Sequence, residues 1–231
     1  MTHKMARAVA ILLLVTALGA TIEYHPADAL AGSAPADDLP QCRQWSAFPY
    51  LVASPAFSQD NTLFSKGMDY DLDRSFVIKS MDGGLSWTDP VFMERLPPWV
   101  IILSPNYSSD QTLYLAFDTS LVRSTDGGQS WASIPYPRTE GRPSLAVVDA
   151  QTLFLGVGGG PPYLYPDQGL FYTADGGETW ERLYAGGVSD VAVSPNYGQD
   201  HTLLIGIGGY HWNGGVLKSS DGGRTWQPSR E

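Results

Sequence analysis

The 231-residue sequence predicts an all-β fold, a β-propeller of four four-stranded antiparallel blades, and three observations carry that expectation. An eight-residue motif occurs four times, as SMDGGLSW from Ser80, STDGGQSW from Ser124, TADGGETW from Thr173 and SSDGGRTW from Ser219. Its tryptophans, Trp87, Trp131, Trp180 and Trp226, recur every 44 to 49 residues, a period that marks a solenoid or a propeller. The second observation is another signature on the same beat: SPAFSQDNTLF from Ser54, SPNYSSDQTLY from Ser104 and SPNYGQDHTLL from Ser194, shortened to VVDAQTLFLG from Val147 in the third copy. The third is composition. Twenty-five Gly and 17 Pro are scattered along the chain, and no stretch after the N-terminus keeps a 3.6-residue apolar period. That pattern suits short strands joined by tight turns.

Read in chain order, the first 31 residues have the layout of a secretory signal: Lys4 and Arg7, a 13-residue apolar run, and small-residue exits at Ala27-Asp28-Ala29 or Ala29-Leu30-Ala31. Thirteen apolar residues are short for a membrane span of about 20. The expectation is therefore a secreted or extracytoplasmic chain with no membrane insertion after cleavage. Residues 32–44 read as a linker. The single cysteine, Cys42, allows no intrachain disulfide, and its context, LPQC, does not fit a lipoprotein signal.

The propeller then occupies 45–231, with blades at about 49–93, 99–137, 145–184 and 188–230. Each repeat reads as apolar strand, SPxxxxDxT turn, apolar strand, variable loop, a strand ending at the motif, the DGG turn, and a strand opening at Trp. In the second repeat these strands fall at Trp99–Leu103, Thr112–Ala116, Ser120–Ser124 and Trp131–Tyr136, each near the commonest strand length of about five residues.

Every residue of the eight-residue box has a local structural task. The glycines, Gly84, Gly128, Gly177 and Gly223 among them, supply the positive φ that a tight reversal needs. The carboxylates of Asp82, Asp126, Asp175 and Asp221 can accept hydrogen bonds from the N–H groups of their own turn. The flanking Ser or Thr can tie the two strands, and the Trp can bury a large ring between neighbouring sheets. No ligand is required.

The pattern S/T-x-D-G-G-x-S/T-W resembles the Asp-box of the bacterial neuraminidase repeat, and the resemblance covers essentially the whole mature chain. Similar boxes occur in sialidases, xyloglucan hydrolases, sortilin-type receptors and photosystem II assembly factors. The resemblance implies a propeller in which the box is a folding element lying away from any active centre. It does not single out a function, because one fold hosts many.

Antiparallel order puts the SPxxxxDxT turns and the boxes on one edge of the propeller, and the variable loops on the other. Variable loops on a rigid scaffold are where function is usually grafted. They read MDYDLDR (68–74), FDTS (117–120), VGGGPPYLYPDQ (157–168), GGYHWNGG (208–215), ERLPPW (94–99) and PRTEGRPS (137–144). Candidate ligand-binding residues there are Tyr70, Trp99, Arg138, Arg142, Tyr163, Tyr165, Tyr210, His211 and Trp212. Aromatic rings beside polar groups suit sugars, whose C–H faces stack while their hydroxyls hydrogen-bond. The competing reading is that these rings cover loop backbone and blade edges.

Asp69, Asp71 and Asp73 form a D-x-D-x-D run that begins like a twelve-residue calcium loop. Arg74 stands at the glycine position and Ser80 at the closing glutamate, so a solvated acidic loop is the preferred reading, and no cofactor beyond a possible Ca²⁺ is expected. His211 has no second His or Cys at ligand spacing, and GVGGGPP from Gly156 leads into proline rather than a phosphate-cradling helix. A formal net charge of −10 disfavours nucleic acid.

A sialidase-like reaction would need an Arg cluster, a nucleophilic Tyr with a carboxylate partner, and an acid. Arg138, Glu140 and Arg142 share one loop near Tyr136, but the Arg-Ile-Pro signature of that family is missing. The functional expectation is thus a non-enzymatic recognition or scaffold module for a glycan or protein, with a glycoside hydrolase as the alternative. Four repeats allow a compact closed ring, an open arc that self-associates or takes a partner, or part of a larger propeller. The stretch CRQWSAFPY from Cys42 adds a spare strand-like segment ahead of the first repeat.

Overall fold

In the computed structural model the described residues are 50–69, 72–93, 98–117, 119–135, 137, 142–158, 167–208 and 214–229. They all lie in the compact unit spanning 44–231. The expected signal segment, linker and Cys42 fall outside them.

Four consecutive meanders account for every described strand. The first blade is β1 (Tyr50–Ala53), β2 (Leu63–Asp69), β3 (Arg74–Ser80) and β4 (Val91–Phe92). The second is β5 (Val100–Leu103), β6 (Leu113–Ala116), β7 (Leu121–Ser124) and β8 (Ala132–Ile134). The third is β9 (Arg142–Val147), β10 (Leu153–Gly158), β11 (Gly169–Thr173) and β12 (Glu181–Ala185). The fourth is β13 (Val188–Val193), β14 (Leu203–Ile207), β15 (Gly215–Ser219) and β16 (Gln227–Pro228). Each forms its own four-stranded antiparallel sheet in sequence order. The strands of the second blade match the sequence expectation to within two residues.

The SPxxxxDxT turns are more regular than a loop. They form single helical turns, α1 (Phe57–Asp60), α2 (Tyr107–Asp110) and α3 (Tyr197–Asp200), each closed by a left-handed residue: Asn61, Gln111 and His201. The tightness comes from the Asp. Asp110 accepts the Ser104 hydroxyl at 2.6 Å and the Thr112 N–H at 2.8 Å, so one carboxylate pins both ends of the turn. Asp60 and Asp200 repeat this arrangement, and in the shortened third copy Asp149 takes the N–H groups of Gln151 and Thr152.

The core is built between blades rather than within one sheet. One apolar cluster joins Phe64 and Val77 of the first blade to Ile101, Leu113 and Leu115 of the second. A second joins Tyr114, Leu121 and Ile134 to Leu145, Leu153 and Leu155 of the third. A third joins Ala146, Phe154 and Leu170 to Val191, Leu203 and Ile205 of the fourth. Strands β6 and β10 are buried on both faces, which is why LYLA and LFLGVG read as continuous rather than alternating runs. Among the described residues no such cluster joins the fourth blade to the first, and Leu51 and Val216 on their outer faces are exposed, so the described blades form an open arc. Nor is any described helix long and apolar enough to cross a membrane.

Phe64 tests this architecture. It is fully buried, packs edge-on against Tyr107 of the next blade at 5.7 Å, and lies under Lys79. Phe64→Ala is expected to cost about 3–5 kcal/mol, read as a lowered urea midpoint. A loss below about 1 kcal/mol would show that the interblade seat does not hold the fold.

Candidate functional site

The two edges of the arc differ in what their side chains are free to do. On the regular edge the box carboxylates are consumed by their own turns. Asp175 accepts the hydroxyls of Thr173 and Thr179, each at 2.6 Å, and the Thr179 N–H at 3.0 Å. Asp82, Asp126 and Asp221 repeat the pattern. Bonds to the ionised form hold all four below the usual carboxylate range. The Ser86 hydroxyl is the main donor to Asp82, which sits at about 2.

The box is also clamped to the neighbouring turn. The first box glycine donates its N–H to the left-handed residue of the same blade: Gly83 to Asn61, Gly127 to Gln111 and Gly222 to His201, each at 3.0 Å. In the shortened third blade Gly176 donates to Gln151 at 2.8 Å. His201 is therefore a turn residue, as its sequence context implies.

The second box glycine has two duties. Gly177 has φ +99°, and a Cβ there would stand 2.7 Å from Ile134 of the preceding blade. Gly128 meets Phe64 and Gly223 meets Leu183 in the same manner. Trp131, Trp180 and Trp226 pack into the three interblade clusters, and the Trp180 indole N–H donates to the Pro135 carbonyl at 2.8 Å. Trp87 differs: it is exposed. The regular edge is thus structural throughout.

The opposite edge carries the candidate residues, and the structure describes part of it. Trp99 is 40% exposed at the junction of the first and second blades. Its N–H donates to the Ala116 carbonyl at 2.7 Å. The Lys66 ammonium, reaching over from the first blade, donates to the carbonyls of Pro98 and Trp99 and lies 4.7 Å from the Tyr50 ring. Burial lowers the Lys66 pKa. The Trp99 backbone is therefore fixed from two blades, while the residue as a whole stays partly exposed.

Asp69 accepts the Leu72 N–H at 3.1 Å, and Asp73 adopts a left-handed conformation, so these two acids shape their own turn. Among the described residues no group of three His, Cys, Asp or Glu side chains is placed to hold a metal. Arg142 opens β9, its backbone paired with Gly158. Tyr70, Asp71, Arg138, Tyr163, Tyr165, Tyr210, His211 and Trp212 lie outside the described residues.

The roots of two aromatic loops are nonetheless placed. Residues 159–166 leave from Gly158 and residues 209–213 from Gly208. A Cβ on Gly187 would stand 2.8 Å from the Gly208 carbonyl and 3.9 Å from the Gly158 Cα. Both loops therefore start within a few ångströms of one glycine at the junction of the third and fourth blades. Beside them, buried Gln168 accepts hydrogen bonds at its carbonyl from Arg182 and, at 3.4 Å, from the Gly186 N–H. Sequence reasoning missed Gln168, Arg182 and Lys66, because single polar residues in strands or at their ends carry no periodic signal.

With this geometry in hand, comparison with known proteins is informative for the fold. No family model matches the chain, and no curated relative matches it. Among solved structures, a GH74 xyloglucanase from Xanthomonas campestris matches with a TM-score of 0.55 at 16% identity, over 77% of this chain and 30% of that one. YCF48 bound to a D1 peptide matches with a TM-score of 0.49 at 17% identity, over 74% of this chain and 50% of that one. The chain spans half the length of the second and under a third of the first. The chain has a propeller fold. At these identities the likeness to the xyloglucanase concerns architecture alone.

The box chemistry predicts an acid-labile fold. A carboxylate held ionised in the folded chain gains protons later than the same group unfolded, so its stabilisation is present above the ordinary pKa of 3.8 and is lost as pH falls through the folded value. The urea midpoint should be flat above about pH 5 and fall steadily from about pH 4 toward pH 2. Asp175→Asn should lower the midpoint at neutral pH and flatten the acid decline. A midpoint unchanged down to about pH 2.5 would contradict the assignment.

Proposed function

We propose that the chain is an exported Asp-box propeller arc that recognises a glycan or a protein on its variable edge without transforming it. The supporting observation is the division of labour between edges. Every box carboxylate is committed to its own turn, whereas on the other edge Trp99 stays partly exposed on a backbone fixed by Lys66. At the junction of the third and fourth blades, two loops whose sequences are rich in Tyr and Trp start from a common glycine-lined root. Rigidly mounted aromatics lose little freedom on binding and serve as anchors in recognition.

The test is titration of the exported chain with a panel of sialylated and plant-type glycans and with peptides, following Trp fluorescence and release of reducing sugar together. Saturable binding without release is expected, weakened about tenfold by Trp99→Ala and by Trp212→Ala. Sugar release that disappears when a variable-edge carboxylate such as Glu140 is changed to Gln would make the chain a glycoside hydrolase instead. Binding untouched by both Trp variants would remove the variable edge from the account.

A further inference from the structure

The two ends of the arc are complementary halves of the interface that joins its blades. Three interblade seats within the chain share one plan. The face that a blade turns to its successor offers an aromatic at the second residue of its second strand: Phe64, Tyr114 and Phe154, all fully buried. Beside it stand buried aliphatics on the third strand: Val77, Leu121 and Leu170. The successor answers with aliphatics on its first strand, Ile101, Leu145 and Val191, with Leu113, Leu153 and Leu203 opening its second, and with its box Trp.

A basic residue just before the box adds a polar stitch. Arg123 donates to the Gly176 carbonyl of the next blade at 3.2 Å, and the Lys79 ammonium lies 3.0 Å from where a Cβ of Gly127 would stand.

The answering half of this plan on the first blade stays largely exposed. Leu51 stands where Ile101, Leu145 and Val191 are buried, yet it is 58% exposed. Leu63, the counterpart of three fully buried leucines, is half-buried, and Trp87 is 37% exposed. Gly83 is the counterpart of Gly127 and Gly176, and its Cβ position has no atom within 4 Å. The box itself carries exposed apolar residues, Met81 and Leu85, where the other three carry Thr125 and Gln129, Ala174 and Glu178, and Ser220 and Arg224.

The fourth blade presents the offering half. Val216, counterpart of Val77, is 47% exposed. Leu204, counterpart of Phe64, is half-buried, and Lys218, counterpart of Lys79 and Arg123, is exposed.

We propose that these two faces bind each other between two copies of the chain, head to tail, so that two four-bladed arcs close one eight-bladed ring. The occupant follows from continuity with the interfaces already built. The free first-blade face lacks what the fourth blade offers, and Lys218 of one copy meets the open Gly83 box of the other as Arg123 meets that of Gly176. A head-to-tail contact closes only if the rotation returns to its start. Eight blades lie within the ordinary range for propellers, about four to eight, whereas three copies would need twelve. Closure also covers both exposed apolar faces at once, which an open arc leaves to solvent.

The experiment measures the mass of the full chain in solution by sedimentation, for the unaltered protein, Leu51→Asp and Val216→Asp. Both positions are exposed, so each variant should fold, as circular dichroism at the unaltered value would confirm. The unaltered chain should sediment as a dimer. Either substitution alone should weaken dimerisation at least tenfold, because each alters both interfaces of the ring. An equimolar mixture of the two variants should recover dimer, since a mixed pair keeps one unaltered interface.

A monomer at all concentrations would overturn the proposal and leave these faces to residues 32–49 or to another chain. A dimer broken by Leu51→Asp but indifferent to Val216→Asp would mean that two first blades pair face to face. Species larger than a dimer would mean that the contact forms without closing.

Discussion

The whole arrangement depends on one contact: the second box glycine of the second, third and fourth blades pressed against an apolar side chain of the blade before it. At Gly177 the clearance for a side chain is absent, because any Cβ would overlap Ile134. The same residue must hold a positive φ to turn the chain. One position therefore satisfies a local demand and a tertiary one, and no other residue type meets both. Around it, the box Trp fills the space beside the glycine and the box Asp holds the turn rigid enough to present them. The period of the sequence is the period of this seat.

That coupling explains what was legible in the sequence. The box, the SPxxxxDxT signature and the apolar runs between them are repeated because each blade solves the same packing problem, so strand number, strand order and turn placement could be read from one chain. The interior residues Leu113, Leu153 and Leu203 stand out for the same reason, all following a Thr at the end of a turn. What the sequence did not reveal was how the turns are built. The four-residue helical turns at Tyr107 and Tyr197 are too short to show a helical period, and the left-handed Gln111 and His201 carry no glycine to announce them.

The candidate site was legible only by subtraction. Residues of the variable loops were singled out because they fail to repeat, which says where chemistry can reside but not how its parts meet. Trp99 illustrates the gap. Its ring could be listed from sequence, but its fixation by Lys66, 33 residues earlier in an adjoining blade, could not. The convergence of two loop roots on Gly187 is similarly a product of blade geometry, since Gly158 and Gly208 are distant in the chain. Gln168, just ahead of β11, and Arg182 of β12 belong to the same class, joined by a side-chain bond to a carbonyl 14 residues away and invisible to any periodic rule.

Internal and terminal blades differ in what their apolar faces meet. If exposure were set by residue type alone, Leu51 and Val216 would be as buried as Ile101 and Val77, whose places they hold in the repeat. If the first blade were adapted to face water, its box would carry a polar residue at the Leu85 position, as the other three do with Gln129, Glu178 and Arg224, since edge strands are commonly blunted with charge. Instead Met81 and Leu85 make that box the most apolar of the four. Substituting charge at either end should therefore act on assembly rather than on the fold of the arc, because the side chains replaced touch so little within it. The seat that joins blades inside the chain is indifferent to covalent connection: its contacts pass from one blade to the next, as from Arg123 to Gly176 or from Phe154 to Tyr197, and a second copy can supply them as well as the next repeat does.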